Sequence, residues 1–466
     1  MMTATATKSI ERTPNSTTYL RGHWLLGCTR QMQRDPLALY TRARRELGDH
    51  AEIRMFPGMY VHLLTHPDAV EHVLQHNHKN YRKPAFFSGP VRQFTGDGIL
   101  TSEGAFWLKQ RRLMQPVFHR QHLAKLAPIM VTAAEDFVRD RQPLVGQEFD
   151  ILDSMMKLTL RVAGETLLGA DISHEADELG RAFRCGFEVT SRRMSTLPLI
   201  PTWFPTPTNM RFARAKKLID RVVMQLIAAR RHAPGAQTDL LSLLLAAQDE
   251  EAGGAGMTDE QVKNEVLTLL IAGHDTIGAT LAWTWHLLGL NPRVQDELAE
   301  EICGRLHGRS PTLDDLPHLP LTRAVFEETL RLYPPAWAQP RQAIESDEIH
   351  GRPIPAKAFV TVSQYLTHRH PDFWDEPERF KPERFIGQVN RHKFAYFPFG
   401  GGPRICIGNQ FALMEGPLLL ATMVQHFRVE LVEGHPVILD PTFTLRPRHG
   451  VKVVLKRRGG GVGGQQ

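Results

Sequence analysis

The chain is short of cysteine, with 4 in 466 residues at positions 28, 185, 303 and 406. None forms a C-x-x-C pair or a zinc-type spacing, which excludes a disulfide framework and fits a reducing compartment, here the cytoplasm. An apolar leader is also missing. Residues 1–18 (MMTATATKSIERTPNSTT) are polar and read as a disordered segment, so neither a signal peptide nor a membrane anchor is expected there. Charge of one sign does not dominate: 56 basic against 50 acidic residues leave +6, and no nucleic-acid motif accompanies that surplus. It is compatible with an acidic protein partner or with a merely solvated surface. No internal repeat is seen and no linker divides the chain. One large domain over 19–457 is therefore expected, although length alone would suggest about three. Residues 458–466, ending GGGVGGQQ, read as a flexible glycine-rich tail.

Helical periodicity is what the chain has in abundance. It runs over 36–47, 67–77, 103–114, 120–141, 151–168, 175–194, 209–232, 237–251, 258–290, 292–307 and 319–332. Strand signals are fewer: His50–Met55 and Tyr60–Thr65 around Pro57-Gly58, then Ala358–Ser363 and Val451–Lys456. The expectation is a mainly α protein with a small β region, an α+β fold. Within it, Val266–Leu290 is apolar over a length that could cross a bilayer. His274 and Asp275 fall at its middle, where an aspartate would cost roughly 2.5–3.5 kcal/mol in lipid. A buried central helix is the better reading.

The most informative stretch is Phe399-Gly400-Gly401-Gly402-Pro403-Arg404-Ile405-Cys406-Ile407-Gly408. One cysteine sits in a glycine-rich loop, two residues after an arginine and just before a helix start. Backbone N–H groups, the helix dipole and Arg404 all favour the thiolate, the form that binds iron. Glycines 400, 401, 402 and 408 let the backbone bend and approach a flat ligand. This F-x-x-G-x-R-x-C-x-G pattern resembles the haem-binding loop of the cytochrome P450 family. The resemblance implies a haem b with Cys406 as axial iron ligand, and it sets Phe399, Arg404 and Gly408 at cofactor-binding positions.

Four further motifs stand in that family's order. Ala272-Gly273-His274-Asp275-Thr276 interrupts the central helix. Ala272 and Thr276 share one face, and a small residue, a glycine and a hydroxyl there open a groove in which Thr can divert a backbone carbonyl. The segment resembles the family's oxygen-activation motif, which implies catalytic roles for Asp275 and Thr276 in proton delivery and a cofactor-side position for Ala272. His274 fills the variable place and reads as packed or solvated. Trp107 and Arg111, at i and i+4, can both address a carboxylate; by resemblance they meet a haem propionate, as do Arg341 and Arg404. Glu328-Thr329-Leu330-Arg331 and Pro382-Glu383-Arg384-Phe385 resemble the family's E-x-x-R and P-E-R-F pair, and the three charges Glu328, Arg331 and Arg384 are given a structural role. His370-Pro371 departs from the family, which commonly has an acidic residue before that proline.

The resemblance covers residues 19 to 457. It implies a soluble haem-thiolate monooxygenase that uses dioxygen on a small apolar organic substrate, a fatty acid or terpenoid. With no reductase following the last motif, electrons are expected from a separate ferredoxin or flavodoxin and its reductase. Arg111, Arg112, Arg391 and Lys393 are candidates for steering that partner. A peroxygenase or isomerase/dehydratase, or a non-catalytic haem sensor or electron carrier, are the alternatives. Phe86, Phe87, Phe94, Ile99, Leu100, Met194, Leu197, Leu199, Trp203, Phe204, Ala336, Trp337, Ala338 and Phe443 stand at substrate-contact positions, with core packing as the competing explanation.

Overall fold

A helix that is apolar on every side has to be covered on every side, and the segment Asp259–Leu290 organises the molecule on that basis. The computed structural model describes residues 19–169, 176–195, 202–232, 239–249, 255–387 and 390–458. Segment 1–18, residues 459–466, Leu197 and Leu199 lie outside these. The central helix starts at a capping box in which Thr258 and Gln261 satisfy each other's backbone N–H groups. Among the described residues it is the one helix long and apolar enough to cross a membrane, but 83% of its apolar window is buried by protein. Ile151–Ala163 packs closely along it. There Gly278 admits the neighbour, since a Cβ would stand 2.9 Å from the Met156 sulfur, and the Thr159 hydroxyl donates to the His274 carbonyl at 2.9 Å. Helices Pro320–Leu332 and Asn409–Val424 complete the cover.

The β region is small and mostly separate. Its main sheet runs in the order Tyr19–Leu20, His50–Phe56, Met59–Leu64, Phe359–Val362, Gln339–Ala343, Tyr81–Arg82. A second sheet pairs Lys452–Arg457 with Phe427–Leu431 on one side and Glu148–Asp150 on the other. The α+β expectation holds.

Some elements differ from the periodicity. Run 120–141 divides into Arg120–Ala124 and Ala127–Arg141, and among the described residues of run 237–251 the helix is Leu240–Ala246. Helix Ala85–Thr95 forms around an internal Pro90, held by Phe94, whose ring meets Phe183, Phe187 and Phe212 within 6.5 Å. Packing overrides propensity here. Strand Gln339–Ala343 tolerates Pro340 because its second neighbour pairs only with Gln342 and Ala343, leaving the proline at a free edge.

A buried charge network joins helix Pro320–Leu332 to the segment leading into the cysteine loop. Arg331 and Glu328 are both 0% exposed and joined by two bonds of 2.7 Å. Arg331 also donates to the carbonyls of His368 (3.0 Å), Pro377 (2.6 Å) and Arg379 (3.1 Å), while Glu328 accepts the Lys381 N–H at 2.9 Å. Arg384 adds a third charge, 3.5 Å from Glu328.

Candidate active site

The Phe399–Gly408 loop folds back on itself. The Cys406 N–H donates to the Phe399 carbonyl and the Gly400 N–H to the Phe397 carbonyl, each at 2.9 Å, and helix Asn409–Val424 begins directly after Gly408. Gly402 is the pivot. Its φ is +63°, and a Cβ would fall 1.9 Å from the Leu74 carbonyl oxygen. The glycine is therefore required by protein packing, not by a flat ligand as the sequence suggests. At Gly408 a Cβ would stand 4.0 Å from the Cys406 sulfur, an ordinary contact.

Cys406 lies deep among protein atoms, yet its side chain is exposed. Its open surface therefore faces an interior recess. Burial pushes the thiol's pKa up, against the opposing pull of the Gly408 N–H and of Arg111. This corrects the expectation that the surroundings alone favour thiolate, and it changes the cation. Arg111 acts on the sulfur, and its Nη1 donates to the Ile405 carbonyl at 2.9 Å. Direct metal coordination is what deprotonates such a thiol.

Arg404 turns the other way, pairing with Glu103 and lying 4.2 Å from the Trp107 ring centroid. Trp107 and Arg111 thus address different partners. Arg341 donates to the Pro340 carbonyl at 2.9 Å and to Gln339 Oε1 at 3.1 Å; burial and the neighbouring Arg404 lower it to about 10. Lys83 completes the cluster. Its Nζ reaches the carbonyls of Ser102 (3.3 Å) and Ile99 (3.4 Å), and burial, then Arg404, push it down to about 7. Arg404 thus pairs with Glu103, and Arg341 and partly protonated Lys83 stand close enough to feel the same carboxylate, an arrangement that would accept further anionic charge. Lys83 is missed from sequence because a lone lysine before Pro84 carries no motif.

On the central helix Ala272 is exposed and Gly273 and Thr276 are half-buried, though the next turn is buried. No atom lies within 4 Å of where a Gly273 Cβ would be. The Thr276 hydroxyl donates to the Ala272 carbonyl at 2.6 Å. Asp275 points away from this groove. It accepts the Thr444 hydroxyl at 2.5 Å and stands 3.7 Å from Arg446, whose side chain is 19% exposed. His274 packs tilted against Phe183 at 5.8 Å, and burial lowers it to about 4, so it is neutral at pH 7.

Several other positions are placed differently from expectation. Trp203 and Phe204 are 80% and 50% exposed and line no interior surface. Trp337 joins the main sheet's core beside Tyr40, at 5.9 Å. Phe94 is core, while Phe443 is half-buried against Phe187 at 5.3 Å. Arg391 lies 3.7 Å over the Trp374 ring and Arg111 faces inward, so neither is free to steer a partner; Lys393 is exposed.

Sequence reasoning also passes over Glu415, on the helix after Cys406. Its carboxyl oxygens are buried without a hydrogen-bond partner, and burial raises its pKa well above the usual 4.5. The folded state holds a proton that the unfolded chain releases, so this stabilisation is complete below the unfolded pKa and is lost as pH rises. The slope is about 1.4 kcal/mol per pH unit until the folded pKa is reached. Glu415→Gln should therefore flatten unfolding free energy against pH above the ordinary carboxylate range. Urea denaturation at several pH values checks this; an unchanged slope would mean that Glu415 is ionised in the fold.

Comparison with known proteins bears on all of these groups. The cytochrome P450 family model matches residues 18–454. The chain is 36% identical over 414 residues to cyclooctat-9-en-7-ol 5-monooxygenase of Streptomyces melanosporofaciens, covering 88% of each. It is 35% identical over 437 residues to cyclooctatin synthase of the same organism, covering 91% of each. It is 33% identical over 427 residues to pentalenene oxygenase of Streptomyces avermitilis, covering 90% of this chain and 93% of that one. The residues present fit the family's haem: an accessible thiol at the bottom of a recess, and a cation cluster with a charge surplus suited to two propionates.

Proposed function

This chain belongs to the cytochrome P450 family, and from that premise we propose that it oxygenates a terpenoid-like substrate. It is a haem-thiolate monooxygenase that takes dioxygen, an organic substrate and electrons from a redox partner. The observation that carries the reading is the Cys406 thiol, deep in the protein yet open on a recess. Of the two apolar classes the sequence leaves open, fatty acid and terpenoid, the second is favoured by the relatives. Two are named for cyclooctat-9-en-7-ol and pentalenene, and both names denote unsaturated hydrocarbon skeletons. Half-buried Phe443 and Ile99 offer apolar lining for such a molecule.

Haem held through Cys406 would supply the reductive activation of dioxygen. In the proposed division of labour, Arg341, Arg404 and Lys83 hold the propionates, with Trp107 stacked beneath Arg404. Arg111 steadies the cysteine loop through the Ile405 carbonyl. Phe399 and Gly408 would contact the bound group from the cysteine loop, and Ala272, exposed on the central helix, would leave room for substrate. Thr276 offers its hydroxyl proton across the groove, breaking its 2.6 Å bond to Ala272 to do so. Asp275 takes up protons on the side facing partly exposed Arg446, whose charge favours the carboxylate, while the Thr444 hydroxyl fixes its direction. Electrons come from a separate ferredoxin or flavodoxin, in the cytoplasm.

Thr276→Ala tests the proton role. NAD(P)H consumption should continue while product falls about tenfold or more and hydrogen peroxide appears instead. Full coupling in the variant, with a substrate that is turned over, would remove Thr276 from the mechanism. Spectral shifts across a panel of terpenoids and fatty acids test the substrate class. A response to fatty acids alone would reverse the preference.

A further inference from the structure

We infer that His66, Asp68 and His350 form a binding site for a late first-row divalent cation, with zinc the natural probe. The site is remote from the chemistry above and does not depend on that reading. One ligand atom from each residue lies within 4.8 Å of the others. Donors 2.0–2.1 Å from a tetrahedral zinc stand about 3.4 Å apart, so ligation requires a closure of roughly 1.4 Å. Half-buried and exposed side chains can make that movement without repacking a core. Two imidazoles with one carboxylate select zinc-like ions over magnesium or calcium, which prefer all-oxygen sets.

The surroundings prepare the trio. Asp68 is aimed by His392, whose Nδ1 accepts the Phe394 N–H at 3.1 Å. The His392 Nε2–H is thereby left to donate to Asp68 Oδ1 at 3.1 Å. The other carboxylate oxygen remains available, 3.5 Å from His66 Nδ1. A metal ligand held by an outer hydrogen bond in this way keeps its orientation when the ion arrives. His350 occupies the turn between strands Asp347–Ile349 and Arg352–Ile354 at φ +51°, followed by Gly351 at +72°. Both positive values are what a two-residue hairpin loop between paired Ile349 and Arg352 requires, and the turn places the His350 ring edge-on to His66 at 5.5 Å. A recess of about 250 Å³ beside the trio, reached by Asp68 and His350 and lined also by Glu71, His72 and Ile349, gives access and room for a water as fourth ligand.

Nearby groups that could compete are already engaged. His72 pairs with Asp347 at 2.9 Å and His76 with Glu71 at 3.6 Å. On binding, His66 Nδ1 would give up the Asp68 N–H it accepts at 3.2 Å. The ion would clamp the 347–354 hairpin to the 66–76 segment, whose Leu74 carbonyl abuts Gly402 in the cysteine loop.

Titration of zinc into chelator-stripped holoprotein, followed calorimetrically, tests the site. One saturable equivalent is expected, with a rise in melting temperature on binding. His350→Asn suits the left-handed turn, and Asp68→Asn keeps the shape; each should weaken binding at least tenfold. Melting temperature without zinc and the haem spectrum should remain unchanged in His350→Asn. Undiminished affinity in both variants, or no saturation at millimolar zinc, would overturn the proposal.

Discussion

Replacing Arg331 with methionine, while Glu328 stays in place, is expected to destabilise the protein by about 3–5 kcal/mol, the range for breaking a buried ion pair from one side. The size follows from what the guanidinium satisfies. Both Glu328 oxygens take bonds from it, and three backbone carbonyls from 368 to 379 take the rest. Removal leaves a carboxylate of 0% exposure with one backbone N–H, from Lys381. Arg384 cannot substitute without moving, because its Nε stands 3.5 Å from Glu328 with no hydrogen bond and its Nη2 donates to the Glu376 carbonyl at 2.9 Å. Arg384→Met should accordingly cost only about 1–2 kcal/mol, as a longer contact that makes no hydrogen bond to Glu328. Urea denaturation of the two variants measures the difference. A loss below about 1 kcal/mol for Arg331→Met would mean that water reaches Glu328 readily and that the network is not a buried one.

The parts of the fold legible in the sequence are those where local pattern and tertiary packing agree. Asp259–Leu290 is apolar over most of its length and buried except at its ends and along the Ala272–Thr276 groove, so its type and length follow directly. His50–Phe56 and Met59–Leu64 pair around Pro57-Gly58 as a turn residue pair dictates. The illegible parts depend on partners distant in sequence. Ala85–Thr95 is a helix despite Pro90 because of the aromatic rings from 183 to 212, which no local window contains. Gln339–Ala343 becomes a strand because Phe359–Val362 supplies its ladder.

The candidate site divides in the same way. Cys406, Thr276 and the Glu328–Arg331 pair stand in dense motifs, so residue type and spacing identify them. Which cation serves which group is not encoded by spacing. Arg404, two residues from the cysteine, pairs with Glu103, while distant Arg111 acts on the sulfur. Lys83 and Glu415 carry their significance only through burial. The glycines show a further limit. Composition announces a bend, but only the Leu74 carbonyl explains why position 402 must be glycine.

That distinction between ligand and loop yields the second large effect. Cys406→Ser should eliminate the red-shifted Soret band of the dithionite-reduced, carbon monoxide-treated protein and lower oxygenation at least about 10³-fold, equivalent to ~4 kcal/mol of barrier. The fold should persist, because the loop is held through backbone rather than sulfur. The 406 N–H still reaches the Phe399 carbonyl, and Arg111 still bonds the carbonyl of Ile405. Serine fills nearly the same volume but offers a poorly ionising hydroxyl where a thiolate must donate electron density. Gly402→Ala should fail differently. A methyl group 1.9 Å from the Leu74 oxygen, at a φ of +63°, forces the loop off its support. That variant is expected to lose haem and thermal stability together, with whatever haem remains still thiolate-ligated. Comparing the two by haem content, melting temperature and the carbon monoxide spectrum separates electronic from mechanical failure. A red-shifted band retained in Cys406→Ser would move the axial ligand to another residue, whereas haem loss equal to that of Gly402→Ala would mean that the sulfur itself holds the loop closed.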